Sequence, residues 1–531
     1  MKSSLQNLFK KGATFAGLCL FFSSLPVSAA VKLPALFTDN MVLQRDQPIA
    51  VWGWADPNEM VSVTLGAATS KVKADAQGEW KTKLPSLKAG ENLELTVAGT
   101  NSITLKNLIM GDVWVCSGQS NMEFGAGGSN TPEDITSAEF PNIRAIKVAH
   151  NSTADPKNDA PMSGWRVCTP ANVKGFTAVG FFFGREIHRQ AGVPIGLIDV
   201  NWGGTQIEPW ITPVGFGSVP ELAETKTSME QAFAAAVADY RKQLPSQLDP
   251  LEAWIKDARQ AIANNTQIPS RPNLLPEPAA GPKIYTLFNG MIHPLLSFPI
   301  KGAIWYQGES NGAEGDSYFQ KMRALIGGWR SLWNVGDFPF YYVQLANFQQ
   351  PTNLPAGGDG WAKVRCAQMK ALTIPHTGMA SAVDIGDAMN IHPGDKRDVG
   401  VRLALWALSR DYGKKEIVPS GPIFQSAKVE GGKIRLAFDY VGGGLIVGKK
   451  DGVKPTEEDK AGKLVRFAIA GEDKNWVWAD AVIDGATVVV SSKEVPNPVA
   501  VRYAFSQNPL GANLYNKEGL PASPFRTDDW P

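Results

Sequence analysis

The sequence predicts an α/β protein: a catalytic-sized central domain of α/β/α three-layer type on a parallel sheet, flanked by N-terminal and C-terminal β-sandwich-like regions. Three observations carry that reading. From about Ile109 to Lys414, short and continuously apolar runs alternate with helix-like stretches, the pattern of strands buried on both faces. Before this region, short segments alternate apolar and polar residues between turn signals, as half-buried antiparallel strands do. After it, the β-like pattern returns.

Residues 1–30 read as a signal peptide rather than as part of the fold. Lys2, Lys10 and Lys11 precede an apolar stretch from about Ala13 to Leu25, and Val27, Ser28, Ala29 and Ala30 supply small residues for cleavage near Ala29 or Ala30. The stretch is too short to span a membrane comfortably, and Leu18 stands before Cys19 where lipoprotein processing wants a small residue. The expectation is secretion, into a bacterial periplasm or beyond. Residues 31–108 form an N-terminal β domain, with strands at Ile49–Trp54, Val61–Leu65, Glu79–Leu84 and Leu93–Ala98. Turns at Asp56-Pro57-Asn58, Gln77-Gly78 and Ala89-Gly90 separate them.

Residues 109–414 form the α/β domain. Its strands are expected at Val113–Cys116, Ile195–Val200, Ala303–Tyr306, Phe340–Leu345 and Met379–Val383, and its helices near Val179–Gln190, Tyr318–Leu332 and Arg397–Tyr412. Residues 220–265, rich in Ala, Glu, Lys and Gln, interrupt the alternation. They read as an inserted pair of helices divided by Pro245 and Pro250, either one wall of a site or a solvated excursion. Residues 415–531 form a C-terminal β region, with strands at Val429–Phe438, Leu464–Ala470, Val477–Val482 and Thr487–Ser491.

Composition narrows the function classes. The chain has 531 residues, 44% hydrophobic and 19% charged, which suits sizeable globular cores. Loss of the leader's three lysines takes the formal net charge from +1 to −2, so nothing points to nucleic acid or an anionic membrane surface. Three cysteines remain beyond the leader, Cys116, Cys168 and Cys366, so at least one is a free thiol. The histidines form no close pair and there is no HExxH, so neither a catalytic metal nor a cofactor is expected.

Four segments could carry chemistry. In GDVWVCSGQSNMEF, a strand runs into Ser117-Gly118-Gln119-Ser120, which sets Ser120 near the start of a helix with backbone N–H groups nearby. In IDVNWGGTQIEPW, Gly203 and Gly204 follow a strand and let a backbone N–H approach a substrate oxygen. In GAIWYQGESNG, Gln307, Glu309 and Asn311 follow a buried strand. In AVDIGDAMNIHPGDK, Asp384, Asp387, Asn390 and His392 do the same. Alone, each has an ordinary structural reading: helix cap, turn, capped turn, structural histidine. All four, however, follow the C-terminal ends of predicted strands, the edge where open parallel sheets bind ligands. A nucleophile, a base, donors and carboxylates together meet the needs of acyl transfer.

The same residues carry a family resemblance. SGQSNM (Ser117–Met122), GGTQIEPW (Gly203–Trp210), FNGMIHPL (Phe288–Leu295), WYQGESN (Trp305–Asn311) and IHPGDK (Ile391–Lys396) resemble, in order and spacing, the sialate O-acetylesterases and related carbohydrate acetylesterases of the SGNH (GDSL-like) hydrolase superfamily. Leu36–Ala55 and Asn513–Trp530 extend the likeness to nearly the whole mature chain. The resemblance implies an SGNH-like catalytic domain and a serine esterase that removes acetyl groups from carbohydrates through an acetyl-serine intermediate. O-acetylated sialic acid or another acetylated saccharide is the implied partner. Ser120 would be the nucleophile and His392 the base; the Ser120 N–H, a glycine N–H (Gly204, or Gly203) and the Gln307 amide would hold the oxyanion.

The triad acid departs from the superfamily pattern. Met389 stands three residues before His392 where aspartate is common, and Asn390 two before it. That leaves Glu309, with Asp384 or Asp387 as alternatives, or a dyad without a carboxylate. Two rivals accompany the reading: an esterase acting on acetylated hemicellulose such as xylan or xyloglucan, and a carbohydrate-binding protein that keeps the fold without catalysis. A peptidase or lipase of α/β-hydrolase type is disfavoured because Ser120 does not sit in a GxSxG elbow: Asn121 and Met122 follow it, where that motif needs a glycine two residues on.

Overall fold

The structure is a computed structural model that describes residues 30–530. The expected signal peptide, up to Ala29, lies outside the described residues. The centre of the protein is a parallel sheet of six strands: β1 (Ser102–Gly118), β2 (Phe140–Lys147), β3 (Ile195–Asn201), β4 (Gly302–Tyr306), β5 (Phe340–Gln344) and β6 (Thr377–Ser381). Their spatial order is β6-β5-β4-β1-β3-β2, all neighbours parallel, with Arg166–Cys168 added antiparallel at the β2 edge.

Two apolar cores cover the sheet's two faces. Val113, Val115, Ile198, Val200, Trp305 and Tyr342 face one; Trp114, Cys116, Leu197, Ile304, Tyr306 and Tyr341 face the other. Successive residues point to opposite sides and both sides are buried, so the strands read as unbroken apolar runs. On the second face, helices Ala178–Ala191 and Lys396–Asp411 pack against each other and the sheet. On the first, helix Ser317–Trp333 brings Trp329 against Trp305 and Phe340. That core is continuous with the N-terminal β strands.

The N-terminal region holds an antiparallel pair, Ile49–Trp54 with Glu79–Leu84, and a sheet of Met60–Leu65, Ala68–Lys73, Gly90–Ala98 and the first half of β1. Thus the change of character near Ile109 falls inside one 17-residue strand. In the C-terminal region, antiparallel sheets enclose a third core of Ile434, Leu436, Val488, Ile469, Val501 and Phe525. The expected strand Val429–Phe438 is instead a hairpin, Ile423–Val429 and Lys433–Asp439, because Gly431 takes a positive φ of 63° and turns the chain.

The inserted helices are Ala223–Gln243 and Pro245–Ala263, so the break comes at Leu244 and Pro250 lies inside the second helix. The first has no buried residue, and the second buries only Ala258 and Ala261. They form a solvated excursion, tied back where Tyr285 donates to Glu230. Cys116, Cys168 and Cys366 are all free thiols. Among the described residues, no helix is long and apolar enough to cross a membrane.

Arg365 joins the sheet to the C-terminal region. It is fully buried and donates to the carbonyls of Leu345, Ala346, Ser506 and Gln507 at 2.6–3.0 Å. Arg365→Met takes a donor from all four carbonyls; Ala346 keeps Trp361 Nε1 at 3.1 Å and Gln507 keeps Phe348 N at 3.4 Å, while those of Leu345 and Ser506 lose theirs, each costing about 1–3 kcal/mol when unpaired. The expected result is a lower thermal midpoint and urea midpoint, with a loss of about 3 kcal/mol or more.

Candidate active site

The parallel register makes three strand ends level. Gly118 at the end of β1 pairs with Asn201 of β3 on one side and Tyr306 of β4 on the other. Gly118 has a φ of 138°, and a Cβ there would lie 2.2 Å from the Tyr306 carbonyl oxygen, so only glycine lets the chain turn so close to its neighbour. The next residues enter a single helical turn, Ser120–Glu123, with Gln119 at the N-cap position. Ser120 is therefore the first helical residue and does not cap.

The Ser120 hydroxyl pairs with His392, whose Nε2 lies 2.7 Å from Ser120 Oγ. His392 arrives eleven residues after β6 ends at Ser381, and backbone contacts hold the returning chain. His392 N donates to Asn390 Oδ1, and Asn130 N donates to the Gly394 carbonyl. The imidazole pKa is lowered, first by burial and then by the nearby Lys396 charge.

The Trp202-Gly203-Gly204 loop lies against the serine: a Cβ at Gly203 would fall 3.3 Å from Ser120 Cβ. Gly203 N–H is taken by Glu123 Oε2 at 2.7 Å, whereas Gly204 is exposed with a φ of 73° and its N–H has no partner among the described residues. The Ser120 N–H, in the first turn of its helix, is likewise free. Glu123 also accepts from His150 at 2.9 Å, and His150 stacks on Trp202 at 4.3 Å with ring planes 4° apart.

Two expected roles meet a different geometry. Gln307 is fully buried, and its amide nitrogen is committed to Asn311 Oδ1 (2.7 Å), Gln119 Oε1 and the Thr205 carbonyl (both 3.2 Å). Its oxygen accepts from Tyr318 at 2.7 Å. With every polar atom paired inside the protein, Gln307 holds up the Ser120 and Gly204 segments and is not free to donate to an oxyanion.

Glu309 does not reach His392. Its Oε1 accepts from Asn121 Nδ2 at 2.5 Å, its Oε2 is buried without a partner, and desolvation raises its pKa. Asp384 is bound to Arg402 at 2.7 and 2.8 Å, and Asp387 caps its own turn by accepting from Met389 N. Among the described residues, no ion pair joins His392 to a carboxylate.

The structure also brings in residues that the sequence reading passed over. Asn121, Lys396, Glu123, His150 and Trp202 all surround the serine. Asn121 and Lys396 lie inside the SGQSNM and IHPGDK segments, where position beside the expected nucleophile and base was their only signal. No local pattern marks the pairing of His150 with Glu123 and Trp202. No group of three or more His, Cys, Asp or Glu among the described residues could hold a metal ion.

The chain is similar to known proteins over most of its length. A family model described as carbohydrate esterase, sialic acid-specific acetylesterase, matches residues 110–246 and 283–408. The sialate O-acetylesterase of Rattus norvegicus is 31% identical over 73% of this chain and 75% of its own length. The chain belongs to the sialate O-acetylesterase family and is a carbohydrate esterase. The Mus musculus sialate O-acetylesterase is 30% identical over 81% of this chain and 83% of its own. A crystal structure of a carbohydrate acetylesterase from Xanthomonas citri superposes with a TM-score of 0.76 at 37% identity, covering 94% of this chain and 100% of that one.

The second layer of the esterase site contains a buried acid with a pH signature. Asp199 of β3 is fully buried, and desolvation pushes its pKa up to about 6, partly countered by Lys147 and Asn201. The unfolded value is about 3.9, so unfolding releases a proton between about pH 4 and pH 6, and stability falls as pH rises through that window. Asp199→Asn should remove that loss. The expected outcome is a higher unfolding free energy than wild type at pH 7.5, by on the order of 2 kcal/mol, read from urea denaturation, and no advantage at pH 4.

Proposed function

We propose that this esterase hydrolyses O-acetyl esters of saccharides through an acetyl-serine intermediate on Ser120. The observation that carries the reading is the 2.7 Å contact between His392 Nε2 and Ser120 Oγ, beside the unpaired N–H groups of Ser120 and Gly204. Ser120 Oγ attacks the acetyl carbonyl carbon as His392 Nε2 takes its proton. The tetrahedral oxyanion is held by the N–H groups of Ser120 and Gly204. The C–O bond to the sugar then breaks, and the imidazolium returns the proton to the sugar oxygen. Water, deprotonated by His392, attacks the acetyl-serine, and acetate leaves as Ser120 regains its proton.

The base works as part of a dyad, because Glu309, Asp384 and Asp387 are engaged elsewhere. The half-exposed stack of His150 on Trp202 offers an apolar wall beside the donors, suited to the C–H face of a sugar ring. O-acetylated sialic acid is the first substrate reading. A second, an acetylated neutral saccharide of hemicellulose type, is favoured by one observation. Of the three arginines Arg166, Arg185 and Arg402, the last two are paired with Asp134 and Asp384 and are unavailable to a sialic acid carboxylate, which leaves the exposed Arg166 on the edge strand. The lysine-led apolar leader supports action outside the cytoplasm, in the periplasm or beyond.

Ser120→Ala and His392→Ala, shown to be folded, should each lose about a thousandfold or more in acetate release from 4-nitrophenyl acetate and acetylated sugars. A serine-directed phosphonate should label Ser120. Binding of acetylated sugars without acetate release by the wild type would instead establish a binding protein. Glu309→Gln should cost only about tenfold, far less than His392→Ala; an equal loss would restore a triad acid. Because His392 must be neutral to accept a proton and its pKa is lowered, the acidic half-point of kcat/KM should lie below 6.5.

A further inference from the structure

The nucleophile and the base come from segments 272 residues apart, yet their atoms must stay within hydrogen-bond reach. One buried group ties the two segments together. Lys396 is fully buried, and its ammonium donates to Asn121 Oδ1 at 2.6 Å and to the Pro393 carbonyl at 2.7 Å. Asn121 follows Ser120 directly, and its amide nitrogen donates to the Ile391 carbonyl at 3.0 Å and to Glu309 Oε1 at 2.5 Å. The backbone carbonyls on both sides of His392 are thus held by groups attached to the nucleophile's neighbour. The polarity admits one arrangement: an ammonium only donates, while a carbonyl and an ionised carboxylate only accept, so the Asn121 amide cannot flip.

We infer that Lys396 is a positioning residue for the esterase reaction, which with Asn121 cross-links the Ser120 turn to the His392 turn and keeps Oγ and Nε2 in register. The inference rests on the Ser120–His392 reading. The same charge also faces the buried carboxylates of Glu309 and Asp395, so two variants are needed to separate positioning from charge balance. The ammonium lies over the Phe124 and Tyr306 rings at 4.9 and 5.5 Å, an apolar setting that methionine would fill nearly as well. Burial pushes the Lys396 pKa down to about 7, countered by the carboxylates of Glu309 and Asp395 that face it. Lys396 in turn faces the imidazole of His392 and, after burial, lowers its pKa.

Two variants separate this role from plain packing. Lys396→Met removes both the cross-link and the charge, and Asn121→Ala removes the cross-link but keeps the charge. Both should lower kcat by about tenfold to a hundredfold with KM changed less than about threefold, as a small misplacement of reacting groups does. Only Lys396→Met should also move the acidic limb of kcat/KM to higher pH, by about half a unit or more, because His392 loses a nearby positive charge. A folded Lys396→Met with wild-type kcat and an unmoved limb overturns the inference. If that variant does not fold, an Asn121→Ala enzyme with wild-type kcat overturns it. Ser120→Ala, assayed alongside, keeps the outcomes apart: turnover surviving in that variant overturns the Ser120 reading itself, whatever Lys396 does.

Discussion

A parallel sheet buried on both faces leaves its side chains two apolar cores and its chain ends two edges. Everything polar that the domain needs for chemistry must gather at one of those edges, and here the register of three central strands decides where. Gly118, Asn201 and Tyr306 end at the same level, so the segments that follow them meet at once. The serine, the glycine loop and the Gln307 turn are neighbours because of that alignment. His392 is the exception. Its segment starts three strands away from β1, and it reaches the serine only through hydrogen bonds made by the returning chain.

Crowding polar groups under such an edge is costly unless each finds a partner. The structure meets the cost with paired amides and charges. Gln307, Asn311, Glu208, Glu314 and Lys321 satisfy one another below the glycine loop. Asn121, Lys396 and one oxygen of Glu309 do so beneath the Ser120–His392 contact. Replacing a buried charge pair by apolar residues often stabilises a protein. Charges kept here are thus better understood through the positions they fix than through any stability they add.

The central fold was legible because its strands are buried on both sides and its helices have one apolar stripe. Ile195–Asn201 and Ala178–Ala191 match the expected elements to within a residue or so at each end. Phe140–Lys147 was not read as a strand, since Pro141, Asn142 and Arg144 interrupt its apolar run. The Glu430-Gly431-Gly432 turn was read through because apolar residues flank it on both sides. At the site, Ser120 and His392 could be named from their segments and the family resemblance. The partners of Gln307 and Glu309 could not, because a polar residue after a strand looks alike whether it faces substrate or a neighbouring loop. Only the three-dimensional arrangement of Asn121, Asn311 and Tyr318 distinguishes the two.

The long strand β1 bears on how such a protein could be assembled by recombination. Its first half closes the N-terminal sheet, and its second half is the central plank of the catalytic one. A gene fragment cut at the compositional boundary near Ile109 would sever a continuous ladder and expose the Val113 and Val115 face that shares a core with Val42 and Leu108. The N-terminal layer is therefore no interchangeable module like a tethered binding domain. It shares a strand and a core with the catalytic sheet, whereas the two helices after Leu222 form a surface excursion with almost no buried residues.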